Sequence, residues 1–206
     1  MKFWLRTSHE DPGLGHKMRM LGLREQLIAD GHNVLDERDR REDVIEVIDS
    51  YTLKPVTKNA IEIGMKPWWF LRNELRGLRR GRSECRAVGY SWGGSQAVED
   101  YPALLDGSDV ICGAFGVSSL ERCYLGIPTI GRVTAANQKA NAEAQVDAFA
   151  AIIVPPVEEM EGYVALWLDV LSQNPDLVAM MSRKAMELVP RDSYQDFWAE
   201  VKSAFC

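Results

Sequence analysis

The stretch that most constrains this chain is DVICGAFGVSSLERCYLGIPTIGRV, residues 109–133. DVICGAF is apolar without alternation, as a strand buried on both faces of a parallel sheet has to be. A glycine loop follows, then a helix over SSLERCYLG, with serine at its start, Gly126 at its end and Pro128 beyond. IPTIGRV then resumes strand character. Strand, crossover helix and strand in that order pair in parallel. The opening of the chain repeats the grammar. KFWLR (2–6) reads as a strand and TSHEDPGLG as a loop, and HKMRMLGLREQLIADGH carries helical spacing up to Gly31. NVL (33–35) and VIEVID (44–49) are the next strands.

Strand signals restart in CRAVGYSWGG. NQKANAEAQVDAFA reads as a helix, AIIV as a strand, and three helices finish the chain. A boundary near residues 82–92 divides it into two α/β halves, 1–88 and 89–206, the second taking the terminal helices. With 46% hydrophobic residues and no apolar run of membrane-spanning length, the composition predicts a globular chain without a transmembrane segment. MKFWLRTSHE is too short and too weakly basic for a secretory signal. Cys85, Cys112, Cys123 and Cys206 lack metal or disulfide spacing, which predicts no metal site and a cytoplasmic setting.

The net charge of −6 does not suggest a general polyanion binder. Locally, however, residues 66–86 form a basic arm headed by Trp68, Trp69 and Phe70, expected to be helical after Pro67 through Arg80. Three readings stand for its arginines Arg76, Arg79, Arg80 and Arg82: a solvated helix face, a docking surface for a polyanionic acceptor such as DNA, or an interfacial membrane helix.

Open α/β sheets bind ligands beyond the carboxyl ends of their strands. Two loops qualify, GLGH at residues 13–16 and GAFGVSS at 113–119. In the second, Gly116, Ser118 and Ser119 precede a helix whose first N–H groups attract phosphate. An alternative is that Ser118 caps the helix and Glu121 completes a capping box; Glu121 could equally accept from ribose hydroxyls. In the first loop, His16 is either a solvated residue at a helix start or a base. Asp49, ending a strand, orients His16, serves as a second carboxylate or caps structure. Arg6 and Arg19 could bind a phosphate or a sugar carboxylate, or Arg19 could simply be solvated.

GAFGVSSLERCYLGIPTI followed by Asn137-Gln138 resembles the nucleotide-sugar-binding half of GT-B glycosyltransferases. RTSHEDPGLGHKMRMLGL and VIDSYTL resemble segments of one branch, the UDP-sugar hydrolases of pseudaminic acid biosynthesis, and the peptidoglycan N-acetylglucosaminyltransferases are more distantly similar. Arg6, Gly13, Gly15, His16, Met18 and Arg19 fall in matching places. The resemblance implies a compact GT-B-like α/β fold, two small Rossmann-like halves with parallel sheets facing a cleft. It implies His16 as catalytic base with Asp49 beside it, and Gly13, Gly15, Arg6 and Arg19 at the substrate. It further implies Gly116, Ser118 and Ser119 at the diphosphate, Glu121 on the ribose, and Asn137 and Gln138 at sugar or phosphate. SWGGS (91–95) resembles the glycine loop opening the family's C-terminal domain, but only 13 residues separate Ser95 from Asp109, where relatives carry more elements. The implied activity is inverting transfer from a nucleotide sugar, UDP-linked by analogy, without a cofactor. Hydrolysis with water as acceptor and non-catalytic nucleotide-sugar binding are the alternatives.

Overall fold

The computed structural model describes residues 1–8, 15–35, 44–64, 66, 68–91, 98–156 and 160–205. In chain order the first elements are β1 (Lys2–Thr7), α1 (Gly15–Ala29), β2 (Asn33–Leu35), β3 (Ile45–Asp49) and β4 (Ala60–Glu62). Then come β5 (Val88–Ser91), α2 (Tyr101–Gly107), β6 (Val110–Ala114), α3 (Val117–Leu125), β7 (Thr129–Arg132), α4 (Lys139–Asp147) and β8 (Ala151–Ile153). Three helices end the chain, α5 (Met160–Gln173), α6 (Pro175–Leu188) and α7 (Tyr194–Phe205). The expected strands and helices outside the basic arm are present, and β4 and α2 are added to them. The strands form two four-stranded parallel sheets, ordered β2-β1-β3-β4 and β5-β6-β7-β8. Among the described residues no helix is long and apolar enough to cross a membrane.

The chain forms two compact units, Met1–Arg76 with Asp192–Cys206, and Gly77–Arg191. This differs from the division expected after residue 88, and the reason is packing. Trp69, Phe70, Leu71 and Leu75 are all buried, with Phe70 in the core of the first unit beside Phe3, Leu23, Val47 and Ile61. Helix α7 belongs to that unit too, because Tyr194, Phe197 and Val201 complete the same core. In the second unit, α5 and α6 contribute Leu171, Val178 and Met181 to a cluster with Val110, Cys112 and Ile130. Ala142 of α4 packs with Phe115 and Ala151 in a separate cluster.

The basic arm is not a helix. Apart from a 3-10 turn at Asn73–Leu75, residues 68–87 contain no helix or strand. The backbone of 69–73 takes its hydrogen bonds from tertiary partners. Leu71 N–H donates to Asp192 Oδ2 at 2.9 Å, Trp69 N–H to Ser193 Oγ at 3.3 Å and Asn73 N–H to Glu25 Oε2 at 2.5 Å. Ser193 N–H donates to Trp69 O at 2.9 Å, and Gln26 Nε2 donates to Leu71 O at 3.1 Å. With backbone groups so satisfied and Trp69, Phe70, Leu71 and Arg72 consecutively buried, a one-sided surface helix is excluded. Gly77 and Gly81 then adopt φ of 87° and 82°, where a helix cannot continue.

Helix α1 lies directly on this segment at Gly22, where an added Cβ would stand 2.3 Å from Phe70 O. Gly22→Ala is therefore expected to destabilise the protein by about 2 kcal/mol, read as a lower denaturation midpoint, despite alanine's better helix propensity. On the first sheet, Glu46 is fully buried and ion-paired with Arg6. Burial alone raises a carboxyl pKa, but the N–H groups of Val56 and Thr57 and the Arg6 guanidinium outweigh it and hold Glu46 below its ordinary 4.5. Its stabilisation is complete above that ordinary value and is lost as pH falls through the lowered one. Glu46→Gln is expected to unfold at lower denaturant than the native chain at neutral pH, the gap closing as pH is taken below 4.5.

Candidate functional site

The order β2-β1-β3-β4 reverses direction between β1 and β3. At such a switch point the loops leaving adjacent strands diverge and open a crevice at their carboxyl ends. Thr7 and Asp49, the last residues of β1 and β3, are register partners there. Gly15 opens α1, and His16 follows in its first turn. Gly13 and His9 lie outside the described residues, as does the glycine loop after Ser91.

Asp49 is fully buried and binds both His16 and Arg19. His16 Nδ1 is 2.5 Å from Asp49 Oδ1; Arg19 Nε donates to Asp49 Oδ2 at 2.7 Å and Arg19 Nη2 to Oδ1. His16 and Arg19 are three residues apart, so α1 presents them on one face. A carboxylate can only accept, so Nδ1 is the ring nitrogen that donates to Asp49, and Nε2 is the one turned away from it. Nε2 has no hydrogen-bond partner among the described residues. Arg19 Nη1 also donates to the carbonyls of Lys66 at 2.9 Å and Trp68 at 3.1 Å, and Nη2 to Gly64 O at 3.4 Å. Half-exposed Tyr51 packs edge-on to the imidazole, ring centroids 4.6 Å apart. The structure thus brings together His16, Asp49 and Arg19, and adds Tyr51, which lies in the matching DSY segment but had no role assigned. Arg6 is not with them. One residue before Thr7 on β1, it points to the opposite face, where it binds Glu46 and Lys54 O and lies over Trp4.

In the second unit, α3 starts beyond the carboxyl end of β6. Its N-cap is Gly116, with no side-chain cap, so the capping box of Ser118 and Glu121 does not form. Instead Ser119 Oγ donates back to Gly116 O at 2.7 Å and accepts from Gln145 Nε2 at 2.8 Å. Tyr101 OH donates to Ser118 O at 3.4 Å. Gln138 reaches the same turn, since a Cβ on Gly116 would lie 3.8 Å from its Nε2. Its Oε1 accepts from Thr134 N–H and Oγ1, each at 3.0 Å. Asn137 is exposed beside it, whereas Glu121 is buried in α3. Gly116, Ser118, Ser119 and Gln138 therefore cluster at a helix N-terminus left without a side-chain cap.

Next to Glu121, Arg122 is fully buried. Its Nε donates to Thr129 Oγ1 at 3.0 Å, Nη1 to Ser91 Oγ at 3.1 Å and Nη2 to Ala114 O at 2.6 Å. It was not among the expected site residues; an arginine between apolar positions of an amphipathic helix was the available signal. Cys112 and Cys123 are core residues, their thiols pushed up by burial to about 11 and about 12.

The arm's arginines are engaged within their own units. Arg82 is buried, donating to the carbonyls of Leu105 at 2.9 Å, Ser108 at 2.7 Å and Arg79 at 2.9 Å. It sits at the C-terminal ends of α2 and α3, Leu125 O being 3.4 Å away, where a cation meets the negative ends of two helices. Burial, then the charge of Arg79, lowers its pKa to about 10. Arg79 pairs with Asp109 at 2.8 Å, Arg80 donates to Tyr124 O and covers its ring, and exposed Arg76 donates to Asn73 Oδ1. Neither an acceptor-docking helix nor an interfacial membrane helix is built from them.

No family model and no curated protein matches the chain in sequence. Among solved structures it is similar to MurG of Acinetobacter baumannii, with a TM-score of 0.61 at 11% identity over 98% of this chain and 99% of that one. The spinosyn rhamnosyltransferase SpnG aligns at a TM-score of 0.41 and 13% identity, over 98% of this chain but 45% of SpnG. The C-terminal CMP-Kdo binding domain of Acinetobacter baumannii WaaA aligns at 0.36 and 14% identity, over 92% and 89%. The MurG likeness is one of fold and does not single out the hydrolase branch. Two four-stranded parallel sheets flanked by helices give this chain an α/β, GT-B-like fold.

Proposed function

We propose that this chain is a nucleotide-sugar-dependent glycosyltransferase in which His16 is the general base. The observation that carries the reading is the buried His16–Asp49–Arg19 cluster at the switch point of the first sheet. Asp49 orients the imidazole through Nδ1, and Arg19 fixes Asp49 through both carboxylate oxygens. Nε2 then takes the proton of an acceptor hydroxyl as its oxygen attacks the anomeric carbon. The glycosidic C–O bond breaks, its electron pair leaves with the nucleoside diphosphate, and configuration inverts. In the second unit, the amides following Gly116 and the hydroxyl of Ser118 receive the diphosphate, with Ser119 holding the turn. Glu121 is assigned to the ribose, and Asn137 and Gln138 to sugar or phosphate, on the resemblance of GAFGVSSLERC to its GT-B counterpart.

A second reading, water as the acceptor, is favoured by one observation. Of the arginines that suggested a polyanionic acceptor, Arg82 is buried on carbonyls of its own unit, and Arg79 and Arg80, though exposed, are engaged by Asp109 and the Tyr124 carbonyl, which lessens the support for a nucleic acid.

Nucleotide release from a panel of nucleotide sugars, with and without hydroxyl acceptors and hydroxymethylated DNA, separates these readings. Transfer predicts release that accelerates when the right acceptor is added; hydrolysis predicts full turnover without one. His16→Ala is expected to lower kcat about 10²- to 10⁴-fold with little change in donor KM; an unchanged kcat would remove His16 from the mechanism. It is a cleaner probe than Asp49→Ala, which would strand Arg19 as a buried unpaired charge at a cost of about 3–5 kcal/mol. Glu121→Ala is expected to weaken nucleotide binding about tenfold, the value of one charge-assisted hydrogen bond, measured by calorimetric titration.

A further inference from the structure

Arg122 is a cation enclosed in the second unit without a counter-charge. Its guanidinium is fully buried and all three of its hydrogen-bond partners are neutral, namely Ser91 Oγ, Ala114 O and Thr129 Oγ1. It forms no ion pair with any described residue. Glu121 precedes it, but adjacent residues of an α-helix point about 100° apart and do not face each other. Buried charges in proteins are ordinarily paired, because an enclosed charge that has given up water and gained no opposite charge is costly.

Position supplies the reason. Ser91 and Ala114 are the last residues of β5 and β6, so the guanidinium lies at the carboxyl edge of the sheet. The chain leaves Ala114 through Phe115 and Gly116 into α3, and a Cβ on Gly113 would stand 3.2 Å from Arg122 Nη1. A positive charge and a helix N-terminus thus share one edge of one sheet, and both favour an anion.

We infer that Arg122 is a positioning and charge-selecting residue for the diphosphate of the donor: it anchors the ends of β5 and β6, and its unpaired charge is answered when an anionic ligand occupies the turn at Gly116. The assignment rests on the donor-binding reading of α3 above. Arg122 does not touch the ligand; it acts through the low-dielectric interior, where a charge is weakly screened.

Calorimetric titration of the full chain with inorganic pyrophosphate, UDP and uridine tests this. Arg122→Gln is expected to weaken pyrophosphate and UDP about tenfold or more while uridine changes less than about twofold. Arg122→Lys keeps the charge and loses the three-way hydrogen bonding, so it is expected to melt at a lower temperature yet retain the preference for pyrophosphate and UDP over uridine. An equal loss for UDP and uridine in Arg122→Gln would reduce Arg122 to a structural strut and overturn the inference, as would unchanged pyrophosphate binding. If Arg122→Gln does not fold, Arg122→Lys decides: retained preference for pyrophosphate supports the inference and its loss overturns it. A native chain that binds pyrophosphate in an Arg122-dependent manner but releases no nucleotide from any donor would sink the transferase reading and leave this one standing. A native chain that binds neither pyrophosphate nor UDP would overturn the inference.

Discussion

Everything in the first unit that bears on chemistry is fastened to the Arg19 guanidinium. Its bidentate pairing with Asp49 joins α1 to β3, and its remaining donors hold the carbonyls of Gly64, Lys66 and Trp68. A planar fork with five N–H donors does this where a lysine could not. Because Asp49 is held from one side by Arg19, its Oδ1 is presented to His16 in a fixed direction, and the imidazole tautomer follows. The same guanidinium decides where the chain runs after β4. By taking the carbonyls of Gly64, Lys66 and Trp68 it ties the chain after β4 to α1, just ahead of the buried run from Trp69 to Arg72.

The parallel strands were readable because burial on both faces leaves continuous apolar runs, as in VICGA, and because Gly31 and Gly126 end their helices in the left-handed conformation. His16, Asp49 and Arg19 were readable as candidates from the loop position and the family resemblance, though nothing local ranked Arg19 above Arg6. Arg6 lies on β1 and turns to Glu46, whereas Arg19 lies on the face of α1 that meets Asp49, and both directions are set only by the assembled sheet and helix. The basic arm was misread for a related reason. Its residues have helical propensity, but its hydrogen-bond partners Asp192 and Ser193 lie more than a hundred positions away, and no window along the chain contains both. Arg122 carries no comparable local signal, because its distinguishing property, a missing counter-charge, exists only once the surroundings are assembled.

Three buried arginines illustrate how one side chain serves different ends. Arg82 donates to carbonyls, with the Asp109 carboxylate 4.0 Å away, and settles the C-terminal ends of α2 and α3. Arg19 meets a carboxylate and gains rigidity from it. Arg122 meets neutral groups alone, at the carboxyl edge of its sheet. The first two are answered by groups of the fold itself, and the third is the one whose charge the described residues leave without an opposite.

The placement of α7 has a consequence for how the protein comes into being. Tyr194, Phe197 and Val201 are needed to close the core begun by Phe3, yet the whole second unit is encoded between them. On the ribosome, Gly77–Arg191 has all of its own residues before the first unit does, so an autonomous second unit would form while Phe3 and Val47 still lack their cover. Sequence separation of that size makes the first unit the slow partner in folding. During synthesis, its exposed apolar sheet is then the surface most in need of protection from aggregation.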